Sequence, residues 1–233
     1  MIYAMSDIHG MYRKFKKMLE LIEFSDNDTL YLIGDIVDRG DEPIQILQDM
    51  MQRRNVIPIL GNHEYMALNA LWYIRDFIDS DGSVTDKSLE FNKDYMLWQM
   101  NACRTTMEGL GRLAVKQRRE VVRYIWNFKW HKTVNIGDMK FILVHAGFEN
   151  FSKDRPFNDY RPEELVWCRH DPDERYFEDE NTYVVSGHTP VQKFTGKPYI
   201  LHKNNNIFID CGACLSYGKL GCIRLDDFME YYV

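Results

Sequence analysis

The sequence predicts an α/β fold in which two β-sheets are flanked by helices and a helical segment is inserted between them. Up to residue 60, short apolar runs alternate with segments of helical periodicity, which is typical of consecutive βαβ units around a largely parallel sheet. After residue 130, short apolar runs recur at close intervals, which indicates a second, β-rich half. The 233 residues suffice for one sizeable domain, so we predict a single domain over residues 1–233.

The N-terminal part is predicted as βαβαβ. Residues 2–5, 29–33 and 56–60 are short apolar runs of strand length. The first predicted helix repeats apolar side chains at helical spacing, at Phe15, Met18 and Ile22, with lysines between them. The predicted elements are therefore, in order, strand 2–5, helix 12–24, strand 29–33, helix 43–53 and strand 56–60.

A helical insertion is predicted from about residue 65 to residue 130. Strand signals are missing there, and the segment is rich in Met, Leu, Trp, Lys and Arg, with a turn-prone Ser-Asp-Gly-Ser at residues 80–83. Strand patterns then return and are expected to form the second sheet. The predicted strands of this half are 133–136, 140–144, 183–185, 199–202, 207–209 and 222–225.

Charge and cysteine content limit the classes of partner and compartment. A formal net charge of -6 gives the chain no general attraction to nucleic acid or to an anionic membrane, so neither is expected as a partner. An anionic substrate must then be held locally, by metal or arginine. The five cysteines are an odd number and no secretory leader is recognised before them, and the apolar residues 1–5 are too few for a signal peptide or a membrane span, so we expect a cytoplasmic protein with reduced thiols.

Polar side chains follow each of the first three predicted strands. Asp7 and His9 follow the first, residues 34–40 (Gly-Asp-Ile-Val-Asp-Arg-Gly) follow the second, and residues 61–64 (Gly-Asn-His-Glu) follow the third. Ligands of open α/β sheets bind at this edge. His145 and His188 also follow strand patterns, each beside a glycine. Mixed oxygen and imidazole donors suit manganese, iron or zinc better than calcium.

These five motifs, in this order from Asp7 to His188, resemble those of the calcineurin-like metallophosphoesterases. The Val-Asp-Arg-Gly and Asn-His-Glu forms are similar to the phosphoprotein phosphatase branch, which includes small bacterial and phage serine/threonine phosphatases and symmetrical diadenosine tetraphosphate hydrolases. The resemblance implies a β-sandwich of two mixed sheets flanked by helices. It also implies two divalent metal ions, expected to be manganese with iron or zinc as alternatives, and a metal-bridging water as the nucleophile.

The resemblance further implies a role for each motif residue. One ion would be held by Asp7, His9 and His188, the second by Asn62 and His145, and Asp35 would bridge the two. His63 would be the general acid, oriented by Asp38. The groups that would bind the substrate phosphate are Arg39, Arg169 and Asn62.

Other features are predicted to be structural. The Cys-Gly-Ala-Cys at residues 211–214 is assigned a packing role rather than a redox or zinc function, and the basic residues 116–119 with Arg123 are assigned to a solvated helix face. Asp41 and Glu42 depart from the branch pattern, and they are expected to alter the shape beside Arg39 and to weaken binding of a strongly anionic substrate there. No catalytic role is assigned to His131, His170 and His202.

The leading functional hypothesis from the sequence is a phosphatase acting on phosphoserine or phosphothreonine in a protein or peptide. The first alternative is a hydrolase that splits a dinucleoside polyphosphate, diadenosine tetraphosphate, symmetrically. For it, adenine would stack on aromatic residues of the insertion, although such spacings are more often core: Trp72, Tyr73, Phe77, Tyr95 and Trp98. The second alternative, a catalytically silent metal-binding scaffold, is disfavoured because His63 and Asp38 are both present.

Overall fold

The computed structural model describes residues 1–73, 78 and 93–233, and its described strands form two sheets. The predicted turn at residues 80–83 lies outside the described residues. In the first sheet the central strands are parallel, and the two C-terminal strands are antiparallel to their neighbours. Its strands, in spatial order, are Glu230–Tyr232 (β10), Gly221–Arg224 (β9), Ile2–Met5 (β1), Thr29–Ile33 (β2) and Val56–Ile59 (β3).

The second sheet is also mixed. Its three middle strands are parallel and its two edge strands are antiparallel to them. The strands, in spatial order, are His131–Ile136 (β4), Met139–Val144 (β5), Thr182–Ser186 (β6), Asn206–Phe208 (β8) and Leu201–Lys203 (β7). Two mixed sheets flanked by helices are the architecture that the motif resemblance implies, and this prediction is confirmed.

One placement from the sequence is wrong. The run at residues 222–225 was assigned to the second sheet, but the corresponding strand β9 lies antiparallel beside β1, with Ala4 opposite Ile223. β9 thus pairs with the open edge of β1, so that β1 has a hydrogen-bonded strand on both sides. β10, with only three residues that include Glu230, carries too weak a pattern to predict and pairs with β9.

The two sheets face each other across a shared apolar layer. Ala4, Ile33 and Ile59 of the first sheet belong to the same buried cluster as Leu143 and Val185 of the second. Side chains alternate along each strand, so the neighbouring residues point away from this layer and pack against helices. This sandwich brings the ends of strands from both sheets to one edge of the molecule.

Helices cover the outer faces of the sandwich and fill the insertion. The first helix, Tyr12–Leu21 (α1), ends before the predicted residue 24. Glu23 adopts a left-handed φ of 50°, and the N–H of Phe24 donates to the carbonyl of Leu19, a Schellman-type termination. None of the described helices has the length and apolar composition needed to cross a bilayer. The helices are Tyr12–Leu21 (α1), Pro43–Met51 (α2), Asn62–Tyr73 (α3), Lys93–Met100 (α4), Arg104–Gly111 (α5), Val115–Trp126 (α6), Pro162–Val166 (α7) and Gln192–Thr195 (α8), with a 3₁₀ turn at Phe157–Asp159.

The basic residues of α6 do not all face solvent, which corrects the prediction of a solvated helix face. Arg118 is only 1% exposed. Its Nε donates to the carbonyl of Leu110 at 2.9 Å, and its Nη2 donates to the carbonyls of Gly111 and Leu113 at 3.3 and 3.0 Å. The guanidinium therefore donates to carbonyls at and just beyond the C-terminal end of α5, where a helix leaves carbonyls without N–H partners of its own.

Replacing Arg118 with methionine should destabilise the insertion. Met keeps the apolar stem but leaves the carbonyls of Leu110 and Leu113 buried without these donors, so we expect the free energy of unfolding to fall by about 2–4 kcal/mol. Urea denaturation followed by circular dichroism measures the change. The matched control Lys116→Met, at an exposed position of the same helix, should change stability by less than about 0.5 kcal/mol. Equal effects of the two variants would contradict the assignment.

Candidate functional site

The loops at the strand ends share an unusual backbone conformation. Non-glycine residues rarely adopt positive φ, and such strain accumulates at functional sites. Here it occurs at residues of three of the five motifs: Asp7 (51°), His9 (46°), Asp35 (53°), Asp38 (70°), Arg39 (67°) and His188 (65°). The backbone of these loops is therefore bent so that their side chains turn toward one point beyond the edge of the sandwich.

Asp35, directly after β2, lies at the centre of the side chains that converge there. Its carboxylate is 3.5 Å from Nε2 of His9 on one side and 3.4 Å from Nε2 of His145 on the other. Potential metal-ligating atoms cluster around it in two groups, one with His9 and His63 and the other with His145 and His188. Asp35 belongs to both groups, which is the arrangement a bridging ligand requires.

Asn62 joins the second group. Its Oδ1 is 2.9 Å from Nε2 of His145 and 2.8 Å from Nδ1 of His188. His145 donates its Nδ1–H to the carbonyl of Ile33 at 2.8 Å, so its Nε2 presents a lone pair toward Asn62 and Asp35. The side chain of His188 thus lies with Asn62 and His145, which differs from the first-ion placement that the resemblance suggested.

Asp7 lies beside the first group and is tied to the His188 loop through the backbone. Its carboxylate oxygens accept the N–H of His188 at 3.0 and 3.2 Å. A side chain at Gly187 would collide with Oδ2 of Asp7, so only glycine permits this approach. Burial, then the neighbouring carboxylates of Asp210 and Asp35, raise the pKa of Asp7 well above its usual range.

The residues of this cluster fit divalent cations. Burial lowers the pKa of His145 to about 3 and that of His188 to about 2, so both rings are neutral and carry the lone pairs that a metal binds. The Nδ1–H of His9 donates to the carbonyl of Val37, which leaves Nε2 facing Asp35. Several buried carboxylates and lone pairs converge without a cationic side chain inside the described cluster, and a bound cation would offset their repulsion.

His63 and Asp38 form a buried pair next to the first group. The Nδ1–H of His63 donates to Oδ2 of Asp38 at 2.7 Å, and Nη2 of Arg39 donates to the opposite nitrogen, Nε2, at 3.1 Å. Burial, then the charge of Arg39, lower the pKa of His63 to about 3. Burial raises the pKa of Asp38 to about 7. The ring is thus fixed in one tautomer, with Nε2 aimed at the cluster.

Glu64 organises the loop that carries Asp35. It is completely buried at the first turn of α3, and its two carboxylate oxygens accept four backbone N–H groups. Those groups belong to Asp35 (2.9 Å), Ile36 (2.8 Å), Val37 (3.1 Å) and Gly61 (3.0 Å). One carboxylate therefore fastens the loop after β2 to the loop after β3. This role of Glu64 is not predictable from the sequence, because its hydrogen-bond partners meet only in the folded chain.

Replacing Glu64 with glutamine should loosen this junction. An amide NH₂ cannot accept the backbone N–H groups that one carboxylate oxygen accepts now, so we expect the free energy of unfolding of the metal-free chain to fall by about 2–5 kcal/mol. Manganese affinity should fall as well, because Asp35 loses its fixed position. Thermal unfolding and equilibrium dialysis measure the two effects. Glu20→Gln, at an exposed position of α1, serves as the control and should change neither.

Cationic side chains stand at the rim of the cluster. Arg39 is next to His63, and its Nη1 lies 3.8 Å from Sγ of Cys214. On the other side, Nη1 of Arg169 donates to Oγ1 of Thr189 at 3.2 Å, one residue from His188. Both arginines are exposed and are therefore free to reorient toward an anion.

The structure places several residues that the sequence leaves outside the predicted metal and phosphate sites. Trp98 belongs to the core, which is the more common outcome for such aromatic spacings: it is completely buried, and its indole N–H donates to Asp38. Trp72 stacks on Trp126 with ring centroids 6.2 Å apart, and the side chains of Tyr73 and Phe77 lie outside the described residues. Asp210, next to Asp7, was not predicted as a site residue. No described hydrogen bond or ring contact joins His131, His170 or His202 to the cluster.

Known proteins share part of this sequence. A sequence model of the calcineurin-like phosphoesterase family matches residues 1–207. The chain is 42% identical over 64 residues to a symmetrical bis(5'-nucleosyl)-tetraphosphatase of Wigglesworthia glossinidia brevipalpis, which covers 27% of this chain and 24% of that protein. An enzyme of the same name from Nitrosospira multiformis is 38% identical over 65 residues, with the same coverage. The match thus spans about a quarter of the length of these curated relatives.

Solved structures show the same fold at low sequence identity. A proposed diadenosine tetraphosphatase superposes with a TM-score of 0.66 and 16% identity, covering 100% of this chain and 92% of that chain. A protein serine/threonine phosphatase from Saccharomyces cerevisiae superposes with a TM-score of 0.56 and 12% identity, covering 95% of this chain and 71% of that chain. At such identities the likeness concerns the fold, and the choice of substrate depends on the site.

Proposed function

The chain belongs to the calcineurin-like phosphoesterase family, and from that premise we propose that it hydrolyses dinucleoside polyphosphates at a two-metal centre built around Asp35. Family membership implies a hydrolase with divalent metal ions. The observation that carries the placement of the centre is the position of the Asp35 carboxylate, within 3.5 Å of imidazole nitrogens on both sides. Manganese, iron and zinc each suit this mixture of carboxylate, amide and imidazole donors.

The ligands divide into two sets around Asp35. Asp7 and His9 would hold one ion, and Asn62, His145 and His188 the other. Two divalent ions supply Lewis acidity there, which activates water and neutralises charge on the phosphoryl oxygens. The protein's contribution is orientation: backbone carbonyls fix the tautomers of His9 and His145, and Glu64 fixes the loop of Asp35.

His63 is proposed to deliver a proton to the departing oxygen. In the structure Arg39 donates to Nε2 of His63, which keeps that nitrogen unprotonated. A substrate phosphate would draw the Arg39 guanidinium into a bidentate contact and would place negative charge near the ring. Both changes raise the pKa of His63, while Asp38 holds its Nδ1–H, so a proton can reside on Nε2 where the leaving group departs.

The surroundings of the centre favour a polyphosphate with a nucleoside attached. Arg39 next to His63 and Arg169 next to His188 can bind phosphates on different sides of the centre. A cavity of about 710 Å³ lies beside the centre. Trp167, which lines this cavity, packs edge-on against His188, with ring centroids 6.1 Å apart. Its lining also includes the half-buried Phe151 and Tyr176, which offer aromatic surface for a base, and Glu149, an acceptor for an exocyclic amino group.

Two matched substrates test this choice. The manganese-loaded chain should hydrolyse diadenosine tetraphosphate with a higher kcat/KM than a phosphothreonine peptide, and chromatography should show ADP as the sole nucleotide product. The serine/threonine phosphatase hypothesis predicts the reverse ratio, and at present only the shared fold supports it. A higher kcat/KM for the peptide would therefore overturn the dinucleotide proposal. It would not contradict the proposed metal centre.

The cavity itself can be tested with Phe151→Ala. This half-buried ring lines the cavity, so its loss should raise KM for diadenosine tetraphosphate about 10-fold, as expected for one lost stacking contact. Hydrolysis of p-nitrophenyl phosphate, which has no base, should keep its KM. An equal effect on both substrates would show that Phe151 supports the fold and does not contact a base.

A further inference from the structure

The helical insertion meets the His63–Asp38 pair directly. Asp38 is completely buried, and two side chains of the insertion donate hydrogen bonds to its carboxylate. Nε1–H of Trp98, on α4, donates to Oδ2 at 2.7 Å, and the hydroxyl of Thr106, on α5, donates to Oδ1 at 2.5 Å. Oδ2 also accepts the Nδ1–H of His63, so both carboxylate oxygens are engaged in hydrogen bonds.

The insertion also holds the backbone of the same loop. The Thr106 oxygen accepts the N–H of Asp38 at 2.9 Å, and the carbonyl of Ala102 accepts the N–H of Arg39 at 3.2 Å. Asp38 and Arg39 both have positive φ, a strained conformation that persists only where surrounding contacts impose it. These contacts come from the turn between α4 and α5 and from the first turn of α5.

We propose that Trp98 and Thr106 are positioning residues for the reaction, which fix the Asp38 carboxylate and through it the imidazole of His63. This inference rests on the proposed role of His63 as general acid. Both side chains are buried, with exposures of 0% and 1%, and are therefore shielded from a substrate phosphate. Their hydrogen bonds lock the carboxylate plane, so that Oδ2 remains in line with Nδ1 of His63 and the opposite nitrogen keeps its aim at the centre. The helical insertion then helps to position the general acid, in addition to packing on the sandwich.

Two conservative variants remove the hydrogen bonds and keep the packing. Trp98→Phe deletes the indole N–H from a buried aromatic position, and Thr106→Val exchanges the hydroxyl for a methyl group. Thr105→Val is the matched control, because the Thr105 hydroxyl, on the same helix, is buried without a described hydrogen-bond partner. Thr106→Ser retains a hydroxyl and should rescue the function that Thr106→Val loses.

The readout is kcat for two aryl phosphates with different leaving groups. Phenyl phosphate needs proton donation more than p-nitrophenyl phosphate, because phenolate is the more basic leaving group. For Trp98→Phe and Thr106→Val we expect kcat on phenyl phosphate to fall about 10- to 100-fold, the effect on p-nitrophenyl phosphate to be several-fold smaller, and KM to be unchanged. Manganese affinity, measured by equilibrium dialysis, should stay at the wild-type value.

Double variants that also carry His63→Asn distinguish a failure of this inference from a failure of the proposed acid role of His63. If Trp98 and Thr106 act through His63, adding either substitution to His63→Asn should cause no further loss. Equal losses on the two phosphates, a weaker manganese affinity, or full activity of both variants would overturn the inference. A His63→Asn variant that loses no more activity on phenyl phosphate than on p-nitrophenyl phosphate would instead overturn the proposed acid role, on which the inference depends.

Discussion

Asp35→Asn is expected to abolish hydrolysis, with kcat falling at least about 1,000-fold. The amide preserves the size of the side chain and can still accept the N–H of His63, which Oδ1 accepts now at 3.0 Å. It removes the negative charge that lies between the two groups of imidazoles. Metal ions contribute several kcal/mol to stabilising a phosphoryl transition state, which corresponds to a loss of this size.

Metal binding provides the second readout for Asp35→Asn. The wild-type chain should bind two manganese ions, and the variant should bind fewer or bind them at least about 10-fold more weakly, by metal analysis after equilibrium dialysis. Asp41→Asn, an exposed carboxylate of the same loop, is the matched control and should retain both metal content and activity. A variant at Asp35 with unchanged metal content and unchanged kcat would contradict the bridging role.

His63→Asn should produce the second large effect, a fall in kcat of about 100- to 10,000-fold on phenyl phosphate. Asparagine can still donate a hydrogen bond to Asp38 but cannot release a proton to a leaving group. Two manganese ions should still bind, because His63 is not assigned as a ligand. The loss should therefore concern kcat, with metal content unchanged.

The dependence on the leaving group distinguishes acid catalysis from a structural effect. On p-nitrophenyl phosphate, whose leaving group departs without much assistance, the variant should retain more of its activity than on phenyl phosphate. Steady-state kinetics on both substrates at saturating manganese measures the ratio. An identical loss on the two esters, or a loss of bound metal, would place His63 among the structural or ligating residues.

Local patterns were enough to predict the elements that form one edge of the molecule. Apolar runs and helical spacing predicted β1, α1, β2, α2 and β3, with boundaries accurate to within three residues. Because the ends of parallel strands meet at one edge, the convergence of Asp7, Asp35 and Asn62 followed from their positions after these strands. The family resemblance, which the match over residues 1–207 confirms, then supplied the expected chemistry.

Long-range contacts were not predictable from local patterns. The hydrogen bonds from Trp98 and Thr106 to Asp38 join residues 60 and 68 positions apart, and no periodicity marks them. The same holds for β9, whose partner β1 lies at the other end of the chain. Positive φ at Asp7 or His188 could not be predicted from the sequence either. Such residues usually avoid that conformation and adopt it only when tertiary contacts impose it.

Glu64 and Asp210 show a further limit of sequence reasoning. Both are buried carboxylates beside metal-ligand candidates, and both would be charged surface residues by composition alone. Glu64 is explained by the four backbone N–H groups that it accepts. Asp210 accepts the N–H of Gly212 and lies against Asp7, which could only be recognised once the end of β8 was placed next to β6.

The most direct test of the two-metal centre is to titrate manganese into the metal-free chain while following both bound metal and hydrolysis of p-nitrophenyl phosphate. The metal-free chain should be inactive, two ions should bind per chain, and activity should rise with occupancy of the centre. Hydrolysis of this ester or of diadenosine tetraphosphate at full rate without metal, or no hydrolysis of either compound with manganese, iron or zinc bound, would contradict the two-metal centre.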